Sequence, residues 1–232
     1  IAFQYKYAGR LLNPKKGETF LDIIPPFLAY GLFFSIHMVL CVGLENILCP
    51  NPAPEQFPQL FLKYKPNYLS GGPLHMEAMI NNNQIQKMKL SFAKSVAYGG
   101  DGMSKEWEEK ISHFLREHHA PYGVMKGYGM TEMAAPVCIS GCLGNEMIPL
   151  FCNNVKILDI DTGEELGYNQ EGEICVSGPT MMMEYYKDSE ATREIIFEEN
   201  DEKWLRTGDL GHITKEGYFR LTGRLKRILW AI

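Results

Sequence analysis

The chain has 232 residues, 45% of them hydrophobic and 22% charged, which suits one large globular domain or two small ones. Its net charge of −5 excludes broad electrostatic binding of nucleic acid, because no basic field is available to displace phosphate counterions. An anionic ligand must therefore be held locally, by a few well-placed groups.

The sequence starts at Ile1 and shows no signal-peptide layout of basic, apolar and small-residue regions, so a cytoplasmic protein is expected. Cys41, Cys49, Cys138, Cys142, Cys152 and Cys175 lie in apolar stretches without a CxxC pair, which predicts buried, reduced thiols. A short buried strand is expected over 21–24, ending at Pro25-Pro26. Residues 27–44 then carry no charge, close to the minimum for a membrane span. Ser35 and His37 interrupt the stretch, and Asp22 and Glu45 flank it where a span would favour Lys or Arg. It is read as a core helix, with no transmembrane segment.

Further on, a strand over 47–49, a helix over 55–63, a strand near Tyr68 and a strand over 91–97 entering Gly99-Gly100 are expected. Ser104 suits a helix N-cap, followed by Trp107, Ile111, Phe114, Leu115 and His118 on one face. A strand over 123–126 leads to a loop over 127–132. Such alternation predicts an α/β fold with a mixed or parallel sheet and packed helices. After about Pro149 the pattern changes to short strands over 155–160, 173–177, 210–214 and 218–222, with one helix capped by Asp188 or Ser189. The expected organisation is an α/β subdomain over 1–148 and a small β-rich, distorted-barrel subdomain over 149–225, with a hinge beginning at 226–232. The run Met181, Met182, Met183 is expected to pack beneath the β-rich part. His118-His119 lacks metal-ligand spacing.

Three segments carry chemistry. In Gly127-Tyr128-Gly129-Met130-Thr131-Glu132, the glycines permit close approach to the backbone and Tyr128 offers a flat face to a base. Thr131 offers a hydroxyl to a phosphate oxygen, and Glu132 a hard carboxylate to Mg2+. Asp209, in Trp204-Leu205-Arg206-Thr207-Gly208-Asp209, is either a turn former or an acceptor for both hydroxyls of a ribose. Arg224, in Gly223-Arg224-Leu225-Lys226-Arg227, belongs to a solvated basic run or grips an anion with its planar fork.

Taken in order, GYGMTE, GEICVSGPTMMMEYY, WLRTGDLG and GRLKR resemble the adenylate-forming superfamily of AMP-binding acyl-CoA synthetases, luciferases and peptide-synthetase adenylation domains. The stretch 24–31 (IPPFLAYG) resembles its substrate-pocket motif, and Gly99-Gly100-Asp101-Gly102 its adenine-contacting loop, so the resemblance covers nearly the whole chain. It implies that Gly99, Gly100 and Asp101 line the adenine pocket and that Tyr128, between Gly127 and Gly129, stacks on the base. It further implies that Thr131 touches phosphate, Glu132 holds magnesium and Asp209 binds the ribose. Arg224 would also contact the nucleotide, Lys226 would mark the hinge, and Phe27, Tyr30 and Gly31 would shape the acid pocket. Glu173, Gly178 and Tyr185 match a motif of more structural role.

The implied activity is an ATP-dependent carboxylic acid ligase that forms an acyl-adenylate and then a thioester. Its cofactors would be ATP, Mg2+ and coenzyme A, with a carrier protein as an alternative thiol. The family's phosphate loop and C-terminal lid have no match here, so the chain is expected to be inactive by itself. Leu28 stands where many acyl-CoA synthetases have His, and 140–149 is short for the family. Residues 27–42 contain no carboxylate to pair a substrate ammonium, which favours an aliphatic or aromatic acid, as in fatty acid metabolism, over an amino acid. The alternatives are a peptide-synthetase-type adenylation domain and a non-catalytic nucleotide- or acyl-binding module.

Overall fold

The computed structural model describes residues 13–50, 52–99, 102–140 and 146–225. Gly100, Asp101, Cys142 and Lys226 lie outside these described residues.

The first half is a parallel sheet. Strands β1 (Thr19–Asp22), β2 (Glu45–Leu48), β3 (Tyr68–Gly71), β4 (Ser95–Gly99) and β5 (Val124–Met130) stand in the order β2-β1-β3-β4-β5. Alternate residues of a strand face opposite sides, and the sequence uses both. Leu21, Leu69, Val96 and Val124 pack against α2 (Phe57–Tyr64), α3 (Pro73–Ile80) and α4 (Lys105–Glu117) through Phe61, Met76, Ile111 and Leu115. Phe20 and Tyr68 pack against Met38 and Val39 of α1, a wide-turned π-helix over Tyr30–Met38 that continues as α-helix over Val39–Val42. Ser104 caps α4 by accepting the Trp107 amide at 3.3 Å. Among the described residues no helix is long and apolar enough to cross a membrane.

From β5 onward the pairing is antiparallel. Strand β6 (Ala135–Ser140) pairs β5, and β7 (Met147–Pro149), β12 (Phe219–Arg224), β11 (Glu202–Ile213), β9 (Gly172–Ser177) and β8 (Asn154–Leu158) follow across the sheet. Strand β10 (Ile196–Glu199) pairs β11 after α5 (Ser189–Ile195), whose cap Asp188 accepts the Ala191 amide at 3.0 Å. One sheet therefore runs through both halves, and it turns antiparallel at β5/β6.

Several expectations are corrected. The segment 127–132 is not mainly a loop: β5 continues to Met130, because its Gly-Tyr-Gly backbone pairs β6, and only Thr131–Met133 forms a tight 3₁₀ turn. Asp209 lies within the twelve-residue β11 rather than in a turn. Helix α3 was not expected; Pro73 at its first turn fits a helix start. Met181 packs on the core beside Tyr128 and Val176, but Met183 is 95% exposed, so the methionine run is only partly packing. Cys138 and Cys175 are buried as expected, whereas Cys41 is exposed.

Candidate functional site

A cavity of about 420 Å³ opens where the carboxyl ends of the parallel strands meet β6. Ala97 and Gly99 of β4 and Met125 and Gly127 of β5 form its floor, Tyr30 and Phe34 of α1 its far wall, and Pro136 and Ile139 of β6 its near side. Most of the lining is apolar, which suits a carbon skeleton held by shape.

Tyr128 lines the same cavity and anchors its polar rim. The ring stacks on Phe219, with centroids 5.0 Å apart and planes 30° from parallel. Its O–H donates to Asp209 Oδ2 at 2.8 Å. The other oxygen, Oδ1, pairs with Arg224 Nε at 2.6 Å, because Asp209 and Arg224 are register partners across β11 and β12. The Asp209 amide donates to Thr207 Oγ1 at 3.1 Å, and the Thr207 hydroxyl donates to the Ile174 carbonyl at 2.8 Å. The carboxylate is thus fixed in direction. Burial, then the Asp209 charge, pushes the Tyr128 phenol far above its usual range, so it remains a donor. A carboxylate offers about four lone-pair positions. Two are used here, by the Tyr128 O–H and the Arg224 Nε–H.

Thr131 lines the cavity mouth, and Glu132 follows it in the tight turn. Glu132 Oε1 accepts the Tyr185 O–H at 2.5 Å, and its backbone carbonyl accepts the Met182 amide at 2.7 Å. Burial, then Glu132, pushes the Tyr185 phenol up to about 12. Ala134 and Ala135, just after the turn, hold φ of 53° and 74°, a costly conformation for a residue with a Cβ. It swings β6 back along β5. Gly129 is required at that crossing, since a Cβ there would stand 2.7 Å from the Ala135 carbonyl oxygen.

The expected site residues thus fall into groups. Tyr30, Gly99, Gly127, Tyr128, Gly129 and Thr131 line one cavity, and Asp209 and Arg224 join it through Tyr128. Glu132 is turned toward Tyr185 beside the mouth. Phe27 does not line the cavity: it is 84% exposed, in the loop before α1. Gly31 does not line it either; it is buried against the Pro25 carbonyl, where a Cβ would meet oxygen at 2.2 Å. Gly100, Asp101 and Lys226 lie outside the described residues. Thr207 and Phe219 were not anticipated as parts of the site, although Phe219 falls in the strand expected over 218–222. Among the described residues no cluster of three His, Cys, Asp or Glu side chains is placed to hold a metal. Magnesium bound with a nucleotide needs only one or two carboxylates, the phosphates and water supplying the remainder. Glu132, whose Oε2 accepts no hydrogen bond from the described residues, fits that requirement.

A family model described as "AMP-binding enzyme" matches residues 2–186. The chain is 32% identical over 228 residues to a luciferin 4-monooxygenase of Nipponoluciola cruciata, covering 95% of this chain and 39% of that protein. It is 30% identical over 220 residues to a probable 4-coumarate–CoA ligase 1 of Dictyostelium discoideum, covering 93% and 39%. Among solved structures, a long-chain-fatty-acid-CoA ligase from Archaeoglobus fulgidus superposes with a TM-score of 0.83 at 22% identity, over 97% of this chain and 47% of that one. ATP-bound MatB from Rhodopseudomonas palustris superposes with a TM-score of 0.80 at 20% identity, over 96% and 43%. At these identities the superpositions speak for the fold. The chain spans about two fifths of the length of the curated relatives it matches.

Proposed function

Because the chain belongs to the AMP-binding enzyme family, we propose that it carries the acid pocket and most of the nucleotide site of an ATP-dependent carboxylic acid ligase. The observation that carries this is the Tyr128–Asp209–Arg224 network at the rim of an apolar cavity. An acid skeleton lies in the cavity with its carboxylate toward Thr131, and adenosine sits against Tyr128 with its ribose hydroxyls on Asp209. The nucleophile is then an anion already, the acid's own carboxylate, which attacks the α-phosphorus and expels pyrophosphate. No Ser-His-Asp arrangement is needed, and the work of the protein is alignment and neutralisation of charge. Thr131 hydrogen-bonds phosphate oxygen, and Arg224, held to Asp209 through Nε, turns its exposed terminal nitrogens to the anion. Magnesium, held by Glu132, would draw charge from the phosphate oxygens when bound. A thiol, coenzyme A or that of a carrier protein, then takes the acyl group and releases AMP.

In this reading the acid pocket lies before 148/149 and the ribose carboxylate after it, and the protein works in the cytoplasm, where ATP and coenzyme A are at hand. Gly100 and Asp101 complete the adenine side in this proposal, and Lys226 the hinge. The two halves of the chemistry need more than these residues, and the chain alone is proposed to bind rather than turn over. The test is titration calorimetry with an acyl-sulfamoyl-adenosine, a stable mimic of the acyl-adenylate. Micromolar or tighter binding, lost with Asp209→Ala, supports the assignment; no binding by the unaltered chain overturns it.

A further inference from the structure

The parallel sheet reverses its winding between β1 and β3, and in such sheets ligands settle outside the carboxyl ends of the strands at that point. Buried polar side chains gather there. Asp22, the last residue of β1, pairs in register with Ser70 of β3; Ser70 pairs with Ala97 of β4, and Ala97 with Met125 of β5. Ala97 and Met125 form the cavity floor. Residues in one register row share a face, with strands about 4.8 Å apart, so Ser70 and Asp22 continue that floor beneath α1. From above, α1 supplies Ser35; from the side, β2 supplies Asn46, whose Nδ2 donates to the Ser35 carbonyl at 2.9 Å.

Asp22 is 2% exposed, and within hydrogen-bonding geometry it accepts the Ile24 amide at 3.1 Å. Ser35 Oγ, Ser70 Oγ and Asn46 Oδ1 are buried with no hydrogen-bond partner among the described residues. Burial holds the Asp22 carboxyl above its ordinary range, while the Ile24 amide and the Asn46 and Ser35 side chains act the other way. The partition between this polar set and the cavity is Tyr30. Its ring lines the cavity, would touch a Cβ at Gly99 and lies 5.5 Å from Phe34. Its phenol is pushed up to about 12 by burial and the Asp22 charge, with the Ser70 hydroxyl opposing.

Resting on the acid-pocket assignment above, we infer that Asp22, Ser70, Ser35 and Asn46 form the far end of that pocket. They select an acid whose distal end carries a hydrogen-bond donor, a hydroxyl or an amine. The set is led by a carboxylate and an unpartnered amide oxygen, with two hydroxyls that can each donate or accept. A methyl end brought against it would leave these buried polar atoms without a partner, whereas a donor can be taken up by Asn46 Oδ1 or by the second oxygen of Asp22. A turn of the Tyr30 side chain joins the set to the cavity. The carboxylate missing from 27–42 is thus supplied by the strand before it. Its place beneath α1, away from Thr131, suits the tail of the acid and not an amino group next to the reacting carboxyl.

The test compares acyl-sulfamoyl-adenosines of three chain lengths, each ending in hydroxyl, amine or methyl, by titration calorimetry on the chain, with sulfamoyl-adenosine as reference. At one length the hydroxyl or amine form should bind roughly ten-fold or more tighter than its methyl counterpart. Asp22→Leu, which also removes a buried charge, should erase that preference and leave the methyl form within about two-fold. Asp22→Asn should retain hydroxyl binding and lose the amine. Equal binding of the methyl forms at every length overturns the inference, as does an unchanged preference in both variants. Binding of sulfamoyl-adenosine without any preference removes the inference alone; failure of sulfamoyl-adenosine and all its acyl forms to bind removes the acid-pocket assignment with it.

Discussion

Tyr128→Phe isolates a single bond of the proposed nucleotide site. The ring that stacks on Phe219 stays, and only the O–H donated to Asp209 at 2.8 Å is removed. Asp209 is 3% exposed and keeps Arg224, whose own side chain is more than half exposed and therefore screened. The phenol is the better-shielded of the two partners. A hydrogen bond to a charged acceptor contributes about 1.5–3 kcal/mol. In a domain of this size each kcal/mol moves Tm by about 2–4 °C, so the variant should melt roughly 3–12 °C lower.

The direction with pH follows from the phenol. Its folded pKa lies above the ordinary 10.0, so the native state holds the proton more tightly. The contribution is therefore full below pH 10 and is lost only as pH rises beyond that. The difference between wild type and variant should be constant from pH 6 to 9. Thermal and urea unfolding of both proteins measure it, and a double-mutant cycle with Asp209→Ala, which removes the acceptor, isolates the pair. A Tm within about 1 °C of wild type, or a cycle additive within about 0.5 kcal/mol, would refute the reasoning.

Three further outcomes are expected. Glu132→Gln should weaken ATP binding in magnesium but not in chelator, measured by calorimetry in both buffers; an equal loss in each would exclude a metal role. Gly31→Ala sets a Cβ 2.2 Å from the Pro25 carbonyl and should cost about 1–3 kcal/mol in urea unfolding, because the loop before α1 must shift. Asp22, raised from 3.8 by burial, binds its proton more tightly when folded, so stability should fall as pH rises from about 4 to the raised value, then level. Asp22→Asn should abolish that slope, and a slope left intact would show that another group causes it.

The parallel half was legible because its signals are local. Apolar runs before Pro25-Pro26 and Gly99 mark strands, which form two residues earlier than expected over Thr19–Asp22 and later than expected over Ser95–Gly99, and Ser104 with the stripe Ile111 and Leu115 marks a helix, which forms over Lys105–Glu117. The extent of β5 and β11 was not legible, since a glycine-rich segment reads as a turn until a partner strand takes up its amides. The contact between Tyr128 and Asp209, 81 residues apart, could be anticipated only through the motifs. Phe27 failed for a related reason: an aromatic beside the pocket motif looks like lining, but the break at Pro25-Pro26 turns it outward. The polar set around Asp22 escaped notice because its members come from β1, α1, β2 and β3, and only the register brings them together.

On the proposed assignment, a ligand in the cavity has leverage over both halves of the sheet. Its floor comes from the parallel strands β4 and β5, whereas the carboxylate that orients Tyr128 comes from β11 and is steadied by β12. A ligand that touches only the floor would stabilise one half. In the proposed binding mode an acyl-adenylate mimic would touch both, and at 100 times its Kd it should add about 2.7 kcal/mol to unfolding of whatever opens with the site. If β11 and β12 open together with β4 and β5, amide exchange should slow by the same factor in all four strands, roughly one hundred-fold. Protection confined to β4 and β5 would mean that Asp209 faces Tyr128 without serving the ligand, and the ribose assignment would fall.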